Sequence, residues 1–157
     1  MDRQRKEFFG RFAFLGALAA LWPARARAQA NGKRFITDAS VQARSYSHAV
    51  VTTSGKMVFL AGQTSARDAA GNVLSFEEQV RGIFRILQGT LQEAGGKLAD
   101  IVYMTCFITD IKNAHTLTRI RGEILGDHFP ASAIINIVAL ASPETLIEIQ
   151  SVAVVPA

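Results

Sequence analysis

The amino-acid sequence predicts an α+β domain built as one mixed sheet with two helices on one face. Three observations predict it. Strand-length runs rich in Val, Ile and aromatic residues sit at the start, middle and end of the chain's body, within 46–61, 100–110 and 133–155. Between them lie two stretches whose apolar residues recur at helical spacing. The resulting order is hairpin, helix, strand, helix, hairpin.

Taken in order, residues 31–43 are polar and form a lead-in. Residues 46–53 and 56–61 are β-rich runs joined at Ser54-Gly55, a tight-turn pair, and read as a hairpin. Residues 67–72 make a surface turn. Ser75 and Glu78 have capping-box spacing, each side chain able to bond the other residue's backbone N–H. The helix they open carries Val80, Ile83, Phe84, Leu87 and Leu91 on one face, and Gly95-Gly96 stops it. Residues 100–110 are the next strand. A weaker helix, interrupted by Gly122, runs from about Lys112 to Leu125 with Ala114, Leu117, Ile120 and Ile124 as its inner stripe. Residues 133–140 and 146–155, either side of an Ala-Ser-Pro-Glu connector, read as a second hairpin buried on most sides. No third helix remains to cover the other sheet face, so a partner subunit is expected there.

A chain of 157 residues suffices for one domain with a real core. The formal charge of +4 suggests nucleic acid, but its distribution argues otherwise. Residues 1–30 hold six of the 17 Lys and Arg and two of the 13 Asp and Glu, which leaves 11 of each in residues 31–157. The body is neutral and would gain little from counterion release, so no nucleic-acid partner is expected. The basic excess belongs to a segment with the order of a cleavable signal peptide: a basic stretch to Arg11, a short apolar core at 12–22, and Ala-x-Ala sites in 23–30. The apolar core is shorter than the roughly 20 residues that span a bilayer, so no membrane anchor should survive cleavage. Arg5-Lys6-Glu7-Phe8-Phe9 resembles a twin-arginine signal with Lys in the second place, which leaves that route and general secretion both open. Cleavage after Ala28 or Ala30 would deliver residues 31–157, or nearly so, to the periplasm or the exterior. Cys106 is the only cysteine, so no intramolecular disulfide is possible, and its apolar surroundings predict an inert buried thiol.

The candidate chemistry is sparse. His48, His115 and His128 are scattered without metal-ligand spacing, and neither a Walker loop nor GxGxxG is present, so no metal or nucleotide cofactor is expected. GxSxG is absent too. Arg119 and Arg121 on the second helix read more readily as solvated charges than as ligands, the alternative being that one of them reaches a cleft from the helix. In the last run, Leu146, Glu148, Gln150, Val152 and Val154 share one face, which puts a carboxylate among greasy neighbours. Such a charge needs an ion-pair partner, a water or a chemical task.

At these residues the sequence resembles the RidA family, also called YjgF or L-PSP. Tyr46-Ser47-His48, then Val58-Phe59-Leu60-Ala61-Gly62-Gln63, is similar to its early pattern. The match continues through Glu93-Ala94-Gly95-Gly96, Asp100-Ile101-Val102, Thr109-Asp110, Phe129-Pro130-Ala131 and Leu146-Ile147-Glu148-Ile149. It covers about residues 44–154. The resemblance implies a chorismate-mutase-like fold whose homotrimer packs three sheets into a central barrel, with clefts between neighbouring subunits. It implies cofactor-free hydrolysis of reactive enamines and imines, as by 2-iminobutanoate/2-iminopropanoate deaminases, to carbonyl compounds and ammonia. By the same resemblance Glu148 corresponds to the residue that positions water, and Tyr46, Gly62, Ser132 and Ile134 to substrate-contacting positions. Two positions depart from the pattern: Ala61 replaces a serine, and Ser132 replaces the arginine that grips the substrate carboxylate. A hydroxyl does not replace a guanidinium fork, so altered specificity is expected. The alternative is a non-catalytic trimeric protein that binds a small molecule in the same cleft.

Overall fold

A computed structural model describes Arg27–Gln29 and residues 32–157; the rest of the expected signal peptide lies outside the described residues. The first elements form a small antiparallel sheet, β1 (Arg27–Gln29), β2 (Lys33–Ile36) and β3 (Ala49–Thr52), with one helical turn, α1 (Ala39–Gln42), between β2 and β3. The main sheet contains β4 (Lys56–Gln63), β5 (Ile101–Ile108), β6 (Ala131–Asn136) and β7 (Ile147–Val155) in the order β4-β7-β5-β6. Its helices are α2 (Phe76–Glu93) and α3 (Ala114–Leu125). The fold is α+β with a mixed sheet, as expected.

Both expected hairpins are corrected. The chain does turn at Gly55, whose φ is +116° and where a Cβ would lie 2.6 Å from the Val155 carbonyl. The strands flanking that turn nevertheless part: β3 pairs with β2, and β4 pairs with β7. The true partner of β3 lies in what reads as a polar lead-in, because Lys33 hides a strand whose pattern alternates buried and exposed. Lys33 is buried against Asp100, which also accepts the Lys97 N–H. At the other end β6 is parallel to β5, and β7 is antiparallel to β5 on its opposite side. Parallel strands need a long crossover, and α3 supplies it. The strand-helix-strand order was therefore the signal, and the apolar run at 133–140 outlasts the strand that ends at Asn136.

The α2 helix begins as its sequence dictates, whereas α3 starts at Ala114, two residues after the expected Lys112, without a side-chain cap. Ser75 caps α2 and forms the complete capping box with Glu78. Val80, Ile83, Phe84, Leu87 and Leu91 are all buried against the sheet, each contributing about 1.5–3 kcal/mol. Gly95 then ends the helix with φ +81°. In α3, Leu117 and Ile120 are fully buried, with Ala114 and Ile124 packed at the margin. From the sheet, Leu60, Met104, Cys106, Ile147, Ile149 and Ala153 complete this core.

The opposite sheet face is open and apolar, as expected from the lack of a third helix. Paired residues in a ladder point the same way, so Met57, Phe59, Tyr103 and Val152 share that face. Phe59 is 77% exposed, Met57 61% and Tyr103 47%.

Candidate functional site

The register divides the expected site residues between the two faces of the sheet. Glu148 pairs with Phe107 and therefore projects to the open face. Ser132 pairs with Met104 and Ile134 with Cys106, on the face that carries the helices. One chain therefore does not bring all five expected residues together; it builds two clusters.

The first cluster joins Glu148 to Gly62. The ladder between β4 and β7 is irregular between Leu60 and Gln63, and this places Gly62 against the Glu148 side chain. A Cβ at position 62 would lie 2.0 Å from Glu148 Oε1 and 2.8 Å from Cδ. The glycine is needed for close approach. Glu148 is half-buried, and among the described residues no hydrogen-bond donor or cation pairs with its carboxylate. No ion pair with a described residue therefore accounts for this strand carboxylate.

The second cluster lies along the β6 edge. Ser47 ties the chain to β6: its N–H donates to the Pro130 carbonyl at 3.0 Å and its hydroxyl to the Phe129 carbonyl at 2.7 Å. This brings Tyr46 beside Ser132 and Ile134, and the three line a cavity of about 250 Å³ with Arg44, Thr118 and Arg121. Ser45 turns the chain here with φ +56°, and Gly122 of α3 makes room for it, since a Cβ on Gly122 would meet Ser45 Oγ at 2.6 Å.

Arg121 corrects the expectation of a solvated charge. It is 1% exposed, whereas Arg119 stays at the surface between Glu77 and Glu123. One Arg121 nitrogen donates to Ser132 Oγ at 2.6 Å and another to the Arg44 carbonyl at 2.7 Å. Burial lowers its pKa from the ordinary guanidinium value. Helical periodicity could have flagged it, because Leu117, Ile120 and Ile124 bracket position 121 on the inner side of α3. Cys106 lies beneath the cavity, and burial pushes its thiol up to about 11 although Arg121 pulls the other way. The thiol is buried, as expected. Among the described residues no three metal-ligating side chains converge.

A small α+β chain with a mixed sheet, one open apolar face, a glycine-backed carboxylate and a polar cavity on the sheet edge defines a recognisable class. Residues 37–155 match the family model described as Endoribonuclease L-PSP, and the chain belongs to that family, the Rid/YjgF proteins. It is 26% identical over 110 residues to a RutC family protein of Pyrococcus abyssi, covering 69% of this chain and 84% of that one. A Rid-family protein of unknown function from Yersinia pestis, YyfB, superposes with a TM-score of 0.70 at 29% identity, covering 79% of this chain and 99% of that chain. A putative endoribonuclease L-PSP from Entamoeba histolytica gives 0.58 at 32% identity, covering 71% and 88%.

Proposed function

We propose that the protein hydrolyses the C=N bond of small reactive imines or enamines, releasing ammonia and a carbonyl compound. The observation that carries this reading is the Glu148 carboxylate, held against Gly62 with no partner among the described residues. A carboxylate so placed can take a proton from water as the water oxygen bonds to the imine carbon. The C=N π pair passes to nitrogen, which is protonated. The resulting carbinolamine passes its hydroxyl proton to the amino nitrogen, the C=O bond forms as the C–N bond breaks, and ammonia leaves. Water is the only co-reactant, so the chemistry asks for no cofactor.

The complete site is proposed to form between copies of the chain. The open face of Met57, Phe59 and Tyr103 is apolar enough to be a subunit interface, and β4 and β6 are opposite edges of one sheet. A closed ring of three copies brings the Glu148 cluster of one to the Tyr46 cavity of the next. We further propose that residues 1–30 direct export, which would place this hydrolysis outside the cytoplasm. The neutral body gives no support to a nucleolytic reading.

The test is ammonia release from imines generated in situ by the purified protein and by Glu148→Gln. Turnover that falls by about a hundredfold or more in the variant, with an unchanged circular dichroism spectrum, supports the reading. Absence of turnover in the wild-type protein overturns it and leaves a small-molecule-binding protein.

A further inference from the structure

We infer that a groove between α2, α3 and the turn before β5 binds a small organic anion with an apolar body, such as an aryl or short alkyl sulfonate, sulfate or phosphate. The groove shares no lining residue with the cavity at the β6 edge or with the Glu148 cluster. The inference goes beyond the proposed function and stands whether or not the chain hydrolyses imines.

The argument starts from the shape of the groove and a glycine in its wall. Its volume is about 430 Å³, within the roughly 300–1,000 Å³ of small-molecule sites. The floor is apolar, formed by Phe84 of α2, Leu98 of the turn before β5 and Ile124 of α3. Leu98 and Ile124 are only half-buried at the margin of the core, so the fold leaves part of their surface uncovered. Gly89 opens the wall on the α2 side. Glycine is the poorest helix former after proline, and inside a helix it is usually kept because something packs against it. At Gly82 that holds, since a Cβ there would lie 2.2 Å from Ser65 Oγ. At Gly89 a Cβ would meet nothing within 4 Å, and the backbone has no positive φ. Packing within the chain explains the first glycine and not the second, whereas an occupant of the groove would explain the second.

The polar rim decides the chemistry of that occupant. Arg81, Arg85, Gln88 and Gln92 recur at helical spacing and form one stripe of α2 along the groove. No acidic side chain among the described residues lines it. Arg81 is held at one end by Glu77 and Glu123. Arg85 has no carboxylate and no hydrogen bond among the described residues, and the amides of Gln88 and Gln92 are equally uncommitted there. A guanidinium and two amides with free N–H groups thus stand beside uncovered hydrocarbon. An oxyanion that carries an apolar body satisfies both, with its oxygens on the Arg85 fork and its carbons over Leu98 and Ile124. A membrane surface fits less well, because it asks for a cluster of cations. Here the body of the chain is neutral, and α2 itself carries Glu77, Glu78 and Glu93.

The test is binding of 2-naphthalenesulfonate, with the neutral 2-naphthalenesulfonamide as comparison, followed by calorimetry on the wild-type protein, Arg85→Gln and Gly89→Leu. The sulfonate is expected to bind about tenfold more tightly than the sulfonamide, and Arg85→Gln to erase that difference. Gly89→Leu is expected to remove binding of both probes, because it fills the groove, and to leave the melting temperature unchanged or raised by a few degrees. Absence of binding, equal binding of the two probes by the wild-type protein, or a preference that survives Arg85→Gln overturns the inference. So does undiminished binding by Gly89→Leu, which would put the probe on the open sheet face. If Gly89→Leu fails to fold, Arg85→Gln decides by the charge criterion. Arg85-dependent sedimentation with phosphatidylglycerol vesicles, without binding of the free sulfonate, assigns the groove to a membrane and overturns the inference. A changed oligomeric mass in Gly89→Leu assigns it to a second copy, with the same effect. Imine turnover is expected to be unchanged in both variants, so this site and the proposed hydrolysis stand or fall separately.

Discussion

Glu148 occupies space that any side chain at position 62 would need, since a Cβ there would lie 2.0 Å from its Oε1. The backbone at Gly62 does not have a positive φ, so alanine is tolerated locally and the conflict falls on the end of a flexible carboxylate. Gly62→Ala is therefore expected to turn Glu148 aside and leave the fold intact. Turnover of an imine should fall by roughly 10–100-fold, while the melting temperature shifts by only a few degrees. Unchanged turnover would show that the carboxylate's position is irrelevant to the chemistry.

The buried pair of Lys33 and Asp100 joins the small sheet to the turn that precedes β5. Asp100→Asn keeps an acceptor for the Lys97 N–H but leaves the Lys33 ammonium buried without its counter-charge. A loss of about 3–5 kcal/mol is expected by urea denaturation. The double change Lys33→Met with Asp100→Leu should recover much of that loss, because it removes both desolvated charges. A double variant as unstable as the single one would contradict this account.

Cys106 gives the protein an alkaline limit. Its folded value of about 11 stands above the ordinary 9.0, so the native state holds its proton at pH values where the unfolded chain has released it. Stability linked to this thiol is complete below about pH 9 and falls as pH rises through 11, by roughly 3 kcal/mol in all. Cys106→Ala should lack this slope in the same range. In the native protein at pH 8 the thiol should also resist a disulfide reagent until denaturant is added.

The proposed export predicts a shortened chain. Expressed as the full 157-residue chain in a Gram-negative host, the protein should appear in the periplasmic fraction with Gln29 or Asn31 as its first residue, read by intact mass against the 17.0 kDa of the full chain. Since β1 spans Arg27–Gln29, either cut removes most or all of that strand and leaves β2 at the edge of the small sheet. Full-length protein held in the membrane fraction would instead indicate an anchor.

The elements whose signals are local were legible in the sequence. Ser75 with Glu78 announced the start of α2, and the stripe from Val80 to Leu91 announced its buried face. Pairing was not legible, because a strand's partner is chosen by long-range packing. Ser54-Gly55 does turn the chain, yet β3 pairs with a strand disguised by Lys33, whose charge is cancelled 67 residues away. The last two apolar runs sit on either side of β5, although they are neighbours in sequence. Of the site, Glu148, Tyr46 and Ser132 were identified by resemblance. Arg121 was legible only as the less favoured alternative, because an arginine on a helix is usually solvated. The stripe of Leu117, Ile120 and Ile124 already put position 121 on the inner side of α3, but only the fold shows that its side chain reaches Ser132.

That reach makes the identity of residue 132 depend on residue 121. Ser132→Arg would restore the family pattern on paper, yet in this chain it would place another guanidinium where Arg121 already donates a hydrogen bond. Arg44 and Arg121 already line this small cavity, so a third guanidinium adds repulsion and the restored arginine is expected to be costly unless Arg121 is neutralised as well. The two arrangements are alternatives separated by an unfavourable single-substitution intermediate.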